Sequence, residues 1–453
     1  MRTRTSPQAS LLVASFVATA IVAASAVHAP SAYAQVTSAA VTGEVVSADG
    51  NPVSGLSVEL RHVPSGTVSR TTTDADGRFN FRGVRVGGPY TITVSGSGFK
   101  TATLDNQFLQ LGDTGGIVVN VQPDGLAEVV IAANRVADPV FDATRTGAGT
   151  RVAREQIEGL PSINRNIQGY VRTDPRIAQT DKERGEISAG GQNTRFNNIR
   201  IDGVSTNDGF GLESNNLPTE RQPISIDSIE SINIALADFD VARSGYTGAS
   251  INAVTKSGTN EFKGSAYYIT RSNDWVGKRA GNKFTGFKDE NTIGATLGGP
   301  IVEDKLFFFA SYEKFERDAQ APSFGPAGSG ASNIVTGITQ AQIAEVAAIA
   351  KDVWKFDAGT FNPPSALDTE IKDMLVKFDW NINESHRASL RLNKTEQTLP
   401  ILPNFGSRSL SLSSHWYANI REFESSVFQL YSDWTPAFST EVSFTTSKQG
   451  STN

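Results

Sequence analysis

Apolar and polar residues alternate along most of this chain, in three stretches of different grain. In the first, residues 41–123, the runs are short. Val41 to Val46, Leu56-Ser57-Val58-Glu59-Leu60, Arg78-Phe79-Asn80-Phe81, Tyr90-Thr91-Ile92-Thr93-Val94 and Ile117 to Val121 are β-prone. Several place their apolar members on alternate positions, as half-buried strands do. Ala48-Asp49-Gly50-Asn51-Pro52 and Asp74-Ala75-Asp76-Gly77 separate them with turn-forming residues. Short strands at this spacing predict a β-sandwich.

The second stretch mixes periods. Val152 to Glu158 predicts a short helix ending near Gly159 and Pro161, and Ile163 to Val171 a second one. Phe196 to Val204 predicts a strand that closes in the Asp202-Gly203 turn. Ile224 to Ile234 predicts a helical turn and then an alternating strand, and Gly245 to Gly258 is glycine-punctuated and β-like.

After Gly264 the alternation becomes long. Ile293, Ala295 and Leu297 share one face; so do Phe308, Ala310 and Tyr312. Met374, Val376, Phe378 and Trp380 oppose Asp373, Lys377 and Asp379. Ala388, Leu390 and Leu392 alternate with Arg387, Ser389 and Arg391, and Phe428, Leu430, Trp434, Val442 and Phe444 continue the theme. Such strands have an oily side and a wet side, as in a membrane β-barrel or a soluble sandwich with one solvated face. Connections decide between them. Turns of a few residues alternate with long segments near 275–290, 317–370 and 398–420, the rhythm of short periplasmic turns and long surface loops. Thr339 to Phe356, in the longest loop, predicts an amphipathic helix with Ile343, Val346, Ala347, Ile349 and Val353 on its apolar side. It would cap the barrel mouth or pack on its own loop.

Composition narrows the picture. The 453 residues contain no cysteine, four histidines and 41 glycines; charged residues make up 19% and the net charge is −6. Nucleic acid is excluded as a partner, because no sizeable basic footprint exists. Without cysteine there is no disulfide framework or thiolate metal site. The mean hydropathy of −0.24 excludes a multi-helix membrane protein but not a barrel, where only alternate residues face lipid. At the N-terminus, Arg2 and Arg4, the apolar run Leu11 to Val27 and Ala32-Tyr33-Ala34 form a secretory signal pattern over residues 1–34, with cleavage expected before Gln35.

No catalytic constellation is found: G-x-S-x-G, H-E-x-x-H and phosphate-loop patterns are all missing. No cofactor or metal is expected. His62, His386 and His415 read as turn or surface residues. Asp74-x-Asp76-Gly77 lacks the later acidic ligands of a calcium loop and reads as a hairpin turn.

Two resemblances carry the reading further. Gly43-Glu44-Val45, Gly50-Asn51-Pro52, Gly55 and Thr73-Asp74-Ala75-Asp76-Gly77-Arg78-Phe79 resemble the carboxypeptidase regulatory-like domain, an accessory sandwich that implies no peptidase activity. Asn198-Ile199-Arg200-Ile201-Asp202-Gly203-Val204 looks like the plug signature of TonB-dependent outer-membrane receptors. Pro223 to Ile232 and Gly248 to Asn260 fit the later part of that domain. With the sandwich in front, the chain resembles the Oar-like branch of that family.

The resemblance implies a mainly β fold. Residues 1–34 would be the signal, 35–124 the sandwich, 125–135 a TonB-box-like segment, 136–262 a small α/β plug and 263–453 the first strands of a transmembrane antiparallel β-barrel. Glu128, Val129, Val130, Ile131 and Ala132 then stand where the TonB box would be, ready to add a strand to the TonB energy-coupling protein in the periplasm. Asp202 and Gly203 belong to the plug signature as turn formers. About seven strands are legible, against about 22 in a whole barrel of this family, so the sequence is read as part of a longer barrel. The expected partners are TonB, outer-membrane lipid and an unidentified extracellular ligand (an iron chelate, glycan or peptide). The expected function is energy-coupled uptake; the alternative is an outer-membrane adhesion or surface-assembly protein.

Overall fold

The computed structural model describes residues 37–124, 147–162, 164–211, 213–238, 245–279, 281–284, 286–364, 366–435 and 438–453. The signal pattern and the segment Glu128 to Ala132 lie outside the described residues.

Seven strands build the first domain: β1 (Ala39–Ser47), β2 (Ser57–His62), β3 (Val68–Thr72), β4 (Arg78–Val84), β5 (Gly87–Gly96), β6 (Phe99–Leu109) and β7 (Gly112–Val121). They form two sheets, ordered β4-β1-β7 and β3-β2-β5-β6. The alternating apolar positions meet between them, with Val41, Val58, Ile92, Val94 and Val121 fully buried. Each such side chain contributes about 1.5–3 kcal/mol. Gly43 is required where β1 passes under Phe79: a Cβ there would sit 2.6 Å from the Ile117 carbonyl oxygen. The Asp74 turn is closed by its own carboxylate, which accepts from the backbone N–H groups of Asp76 and Arg78 at 3.0 and 2.8 Å.

His62 corrects the expectation of a surface histidine. It continues the inward face of β2 after Val58 and Leu60, accepts or donates a 2.6 Å bond with Ser65 through Nδ1, and packs against Tyr90. Burial, reinforced by the Arg85 charge, holds its pKa down at about 3.

The central domain is a five-stranded sheet ordered β12-β11-β14-β13-β8. Its strands are β8 (Gly147–Val152), β11 (Asn198–Ile201), β12 (Val204–Ser205), β13 (Ile229–Asp238) and β14 (Ser250–Thr255), and a hairpin of β9 (Ile177–Asp181) and β10 (Glu186–Ala189) is added. Helices Arg154–Gly159 and Ile167–Val171 flank it. The second helix is shorter than the apolar pattern suggests, because the Asn166 side chain accepts from Gly169 N at 2.9 Å and fixes the start. β11 and β12 join through Asp202 and Gly203, both left-handed at φ 44° and 83°, the backbone of a tight hairpin turn. The isoleucine-rich core includes Ile199, Ile229, Ile234 and Ile251.

The third region is a seven-stranded antiparallel sheet, in which β15 (Lys263–Ser272), β18 (Asp289–Val302), β19 (Leu306–Gln320), β22 (Ala366–Asn381), β23 (His386–Ile401), β24 (Tyr417–Thr435) and β25 (Phe438–Thr452) lie in sequence order. The long connections carry the small hairpin β16 (Lys278–Arg279) with β17 (Asn282–Lys283) and the parallel pair β20 (Phe324–Gly325) with β21 (Asn333–Ile334). Ile293, Leu297, Met374, Trp380 and Leu392 face outward and are exposed. Arg391, Asp373, Lys377 and Gln397 face inward and are buried. The sheet is open, with β15 and β25 at its edges. Among the described residues no helix is long and apolar enough to cross a membrane.

The loop helix forms at Gln340–Asp352, capped by Thr339 and Gln342. On its apolar side Val346 and Ile349 are about half exposed, and Ile343 and Ala347 are half-buried.

Candidate functional site

The inner face of the seven-stranded wall meets the central domain along a seam made largely of charges and hydrogen bonds. Strand alternation sets its composition, because every inward position of β22, β23 and β24 must touch the central domain or a wet lumen.

At the outer end, Glu290 on β18 accepts from Arg271 and Arg317, at 2.7 and 2.6 Å from their Nε atoms. Arg317 reaches on to Glu220 of the central domain at 3.1 Å, and Arg271 to Glu183 at 3.3 Å. Burial raises the Glu220 carboxyl above its usual range, and the Arg317 charge opposes that shift. Arg421 on β24 pairs with the buried Glu213.

At mid-height, Tyr267 donates to Glu313 at 2.5 Å, and Ser225 of the central domain donates to the same carboxylate at 3.1 Å. Asn393 donates to the Pro223 carbonyl at 3.1 Å. Asp202 sits opposite Arg391. Its carboxylate accepts from Thr255 N at 2.9 Å and Thr255 Oγ1 at 2.6 Å, and Arg391 Nε lies 3.5 Å away. That last contact lacks hydrogen-bond geometry, so the attraction is coulombic.

Among the described residues, apolar clusters span the seam at two places. Phe309 and Leu375 project from the wall into the core of the central domain. Val204 of β12 meets Phe423 and Val427 of β24.

At the inner end the sandwich joins the seam. Asn381 donates to Thr67 Oγ1 at 2.8 Å, Asn260 N donates to the Pro64 carbonyl at 2.8 Å, and Tyr431 and Thr37 share a 3.0 Å bond. Arg387 donates to the Arg82 carbonyl at 3.3 Å. The sandwich residue Arg85 lies over the Phe307 ring.

The seam is polar and imperfectly satisfied. Asn393 Oδ1 and Gln397 Nε2 are buried on the wall without a hydrogen-bond partner among the described residues. Such an interface can hydrate and slide, whereas separating a dry apolar one exposes surface at about 25 cal/mol per Å². The sequence singled out Asp202 and Gly203 as a turn. It did not show that Asp202 also faces Arg391, nor that Glu213, Ser225 and Glu313 belong to the seam. Inward charges at alternate strand positions were the available signal for Arg391 and Lys377, but nothing marked their partners.

Comparison with known proteins adds family context. Residues 40–123 match the carboxypeptidase regulatory-like domain and residues 254–327 an outer membrane beta barrel domain. The chain is 29% identical to the TonB-dependent transporter Oar of Myxococcus xanthus over 344 residues, covering 71% of this chain and 30% of that protein; it thus spans about a third of the length of this curated relative. Among solved structures, the siderophore receptor PirA from Acinetobacter baumannii is 17% identical, with a TM-score of 0.45 over 67% of this chain and 40% of that one. The outer membrane transporter YddB from Escherichia coli is 15% identical, with a TM-score of 0.45 over 66% and 38%. The chain resembles TonB-dependent outer-membrane receptors of the Oar type, and its place is the outer membrane.

Proposed function

We propose that this chain acts within an energy-coupled outer-membrane receptor, its central domain serving as the plug of a solute pathway. The reading rests on one observation above all: a folded α/β domain is held against the inner face of a one-sidedly oily sheet by ion pairs and hydrogen bonds rather than by a continuous apolar contact. A stopper of that kind holds its position at rest and yields when pulled.

In this reading a scarce solute, an iron chelate, glycan or peptide, binds at the outer face. The segment Glu128 to Ala132 pairs as a strand with TonB in the periplasm, where backbone hydrogen bonds supply the affinity. Tension along it loosens the seam from the inner end. The chain is a transporter-type protein and not an enzyme, as is the curated relative.

The test is binding of the purified periplasmic domain of TonB to the full-length protein. Deleting residues 128–132 is expected to weaken binding at least tenfold, about 1.4 kcal/mol. Unchanged binding after the deletion overturns strand donation.

A further inference from the structure

A cavity of about 440 Å³ lies where the sandwich, the central domain and the inner ends of the wall strands meet. It falls within the common size range for small-molecule sites, roughly 300–1,000 Å³. Its lining carries charges of both signs, and most of them cancel locally. Arg154 is bridged to Glu158 at 2.7 Å and to Asp227 at 3.5 Å, and Lys263 to Glu261 at 3.0 Å. Burial raises the Glu230 carboxyl and lowers the Lys256 ammonium, which moves both toward their neutral forms.

Three cations remain. Lys377 is 8% exposed and donates only to Thr255 O and Oγ1, both at 3.2 Å. Arg387 is 6% exposed and donates to the Arg82 carbonyl; its Nε has no partner. Arg85 donates to the Gly258 carbonyl at 3.4 Å and to Asn381 Oδ1 at 3.5 Å, and lies over the Phe307 ring. Against them stand three carboxylates: the buried Asp379, whose Oδ2 is itself without a partner among the described residues, Asp433, whose charge acts on Arg387, and Glu230, on which the Lys377 charge acts. Lys377 and Arg387 nevertheless hydrogen-bond only to neutral oxygens. Buried cations satisfied only by neutral oxygens are costly unless a counter-charge arrives.

We propose that this cavity binds a small organic oxyanion, clamped between Lys377 and Arg387. The ligand carries a carboxylate or phosphate group, the chemistry that guanidinium and ammonium donors recognise through charge-assisted hydrogen bonds. The site lies on the inner side of the central domain, away from the outer end of the seam, and the sandwich supplies one of its walls. It is distinct from any solute site on the outer face.

The experiment is calorimetric titration of the purified full chain in detergent with citrate, with inorganic phosphate, and with glycerol as the neutral control. No TonB is present, so the result is independent of strand donation. Binding of citrate or phosphate, without binding of glycerol, is expected; which anion binds identifies the carboxylate or the phosphate class. Arg387→Gln and Lys377→Met are each expected to weaken that binding about tenfold or more, and Arg387→Lys to retain most of it. Asp379→Asn removes a competing carboxylate and is expected to tighten binding, a result that loss of fold would not produce. Failure of both anions to bind overturns the proposal, as does anion binding unchanged by Arg387→Gln, Lys377→Met and Asp379→Asn.

Discussion

Asp202→Ala is expected to loosen the central domain from the wall by about 3–5 kcal/mol, the usual cost of breaking a buried ion pair by removing one partner. Asp202 is buried, and its carboxylate does two things. It accepts both donors of Thr255, which ties the end of β14 to the β11–β12 turn. It also supplies the counter-charge for Arg391, which is 2% exposed and has no other carboxylate within ion-pair reach among the described residues. Alanine leaves the guanidinium buried with Ser425 Oγ, 3.1 Å away, as its remaining side-chain partner. Alanine also places a Cβ-bearing residue without a polar side chain at φ 44°, adding roughly 1 kcal/mol. Denaturation of the full chain in detergent reads the loss. Adding Arg391→Met to the same chain is expected to recover most of it, since the unpaired charge goes. A loss below about 1 kcal/mol would mean that the pair does not seat the domain.

Phe309→Ala is the second large effect expected, about 3–5 kcal/mol. Phe309 belongs to β19 of the wall, yet its ring sits in the same apolar cluster as Ile229, Ile251 and Ala253 of the central domain. Truncation opens a cavity in that core. The neighbouring Phe308 faces the other way and packs with Phe262 at 6.3 Å between ring centroids. Phe308→Ala is therefore the matched control, and the same denaturation measurement compares the two. Equal losses would contradict the assignment of Phe309 to a core shared by wall and central domain.

Much of the wall was legible in its sequence because each strand has two unlike surroundings. Ile293 and Leu297, or Met374 and Val376, mark one face by themselves, and that is the face found exposed. Where the inner surface is also apolar, alternation loses its contrast. Ile371 and Leu375 on β22, and Phe307 and Phe309 on β19, turn inward, and no local pattern separates them from their lipid-facing neighbours. The β9–β10 hairpin escaped notice for a related reason. Ile177, Ile187 and Ala189 are its only buried apolar residues, too few to mark a period. His62 was misjudged by residue type, although Val58 and Leu60 on the same strand face pointed inward. The loop helix predicted from amphipathicity formed at Gln340–Asp352, but amphipathicity did not locate a surface for it.

The seam was legible only on one side. Inward charges such as Lys377, Arg387 and Arg391 are visible as polar members of alternating strands. Their partners are not, because Thr255, Arg82 and Asp202 come from other domains far away in the chain. The turn residue Asp202 shows the limit most clearly: a local rule fully explains its presence, and the second role emerges only when β23 is brought opposite.

The natural chain lacks cysteine, so a nitroxide at any single introduced cysteine reports one position. The decisive measurement is the collision rate of such labels with oxygen and with a water-soluble nickel chelate, in lipid vesicles, at positions 373 to 376 and 390 to 393. Labels replacing Met374, Val376, Leu390 and Leu392 are expected to meet oxygen and not the chelate, and labels replacing Asp373, Leu375, Arg391 and Asn393 to be shielded from both. A profile without this two-residue period, or chelate contact on both faces, would contradict a membrane wall with a domain seated against its inner side.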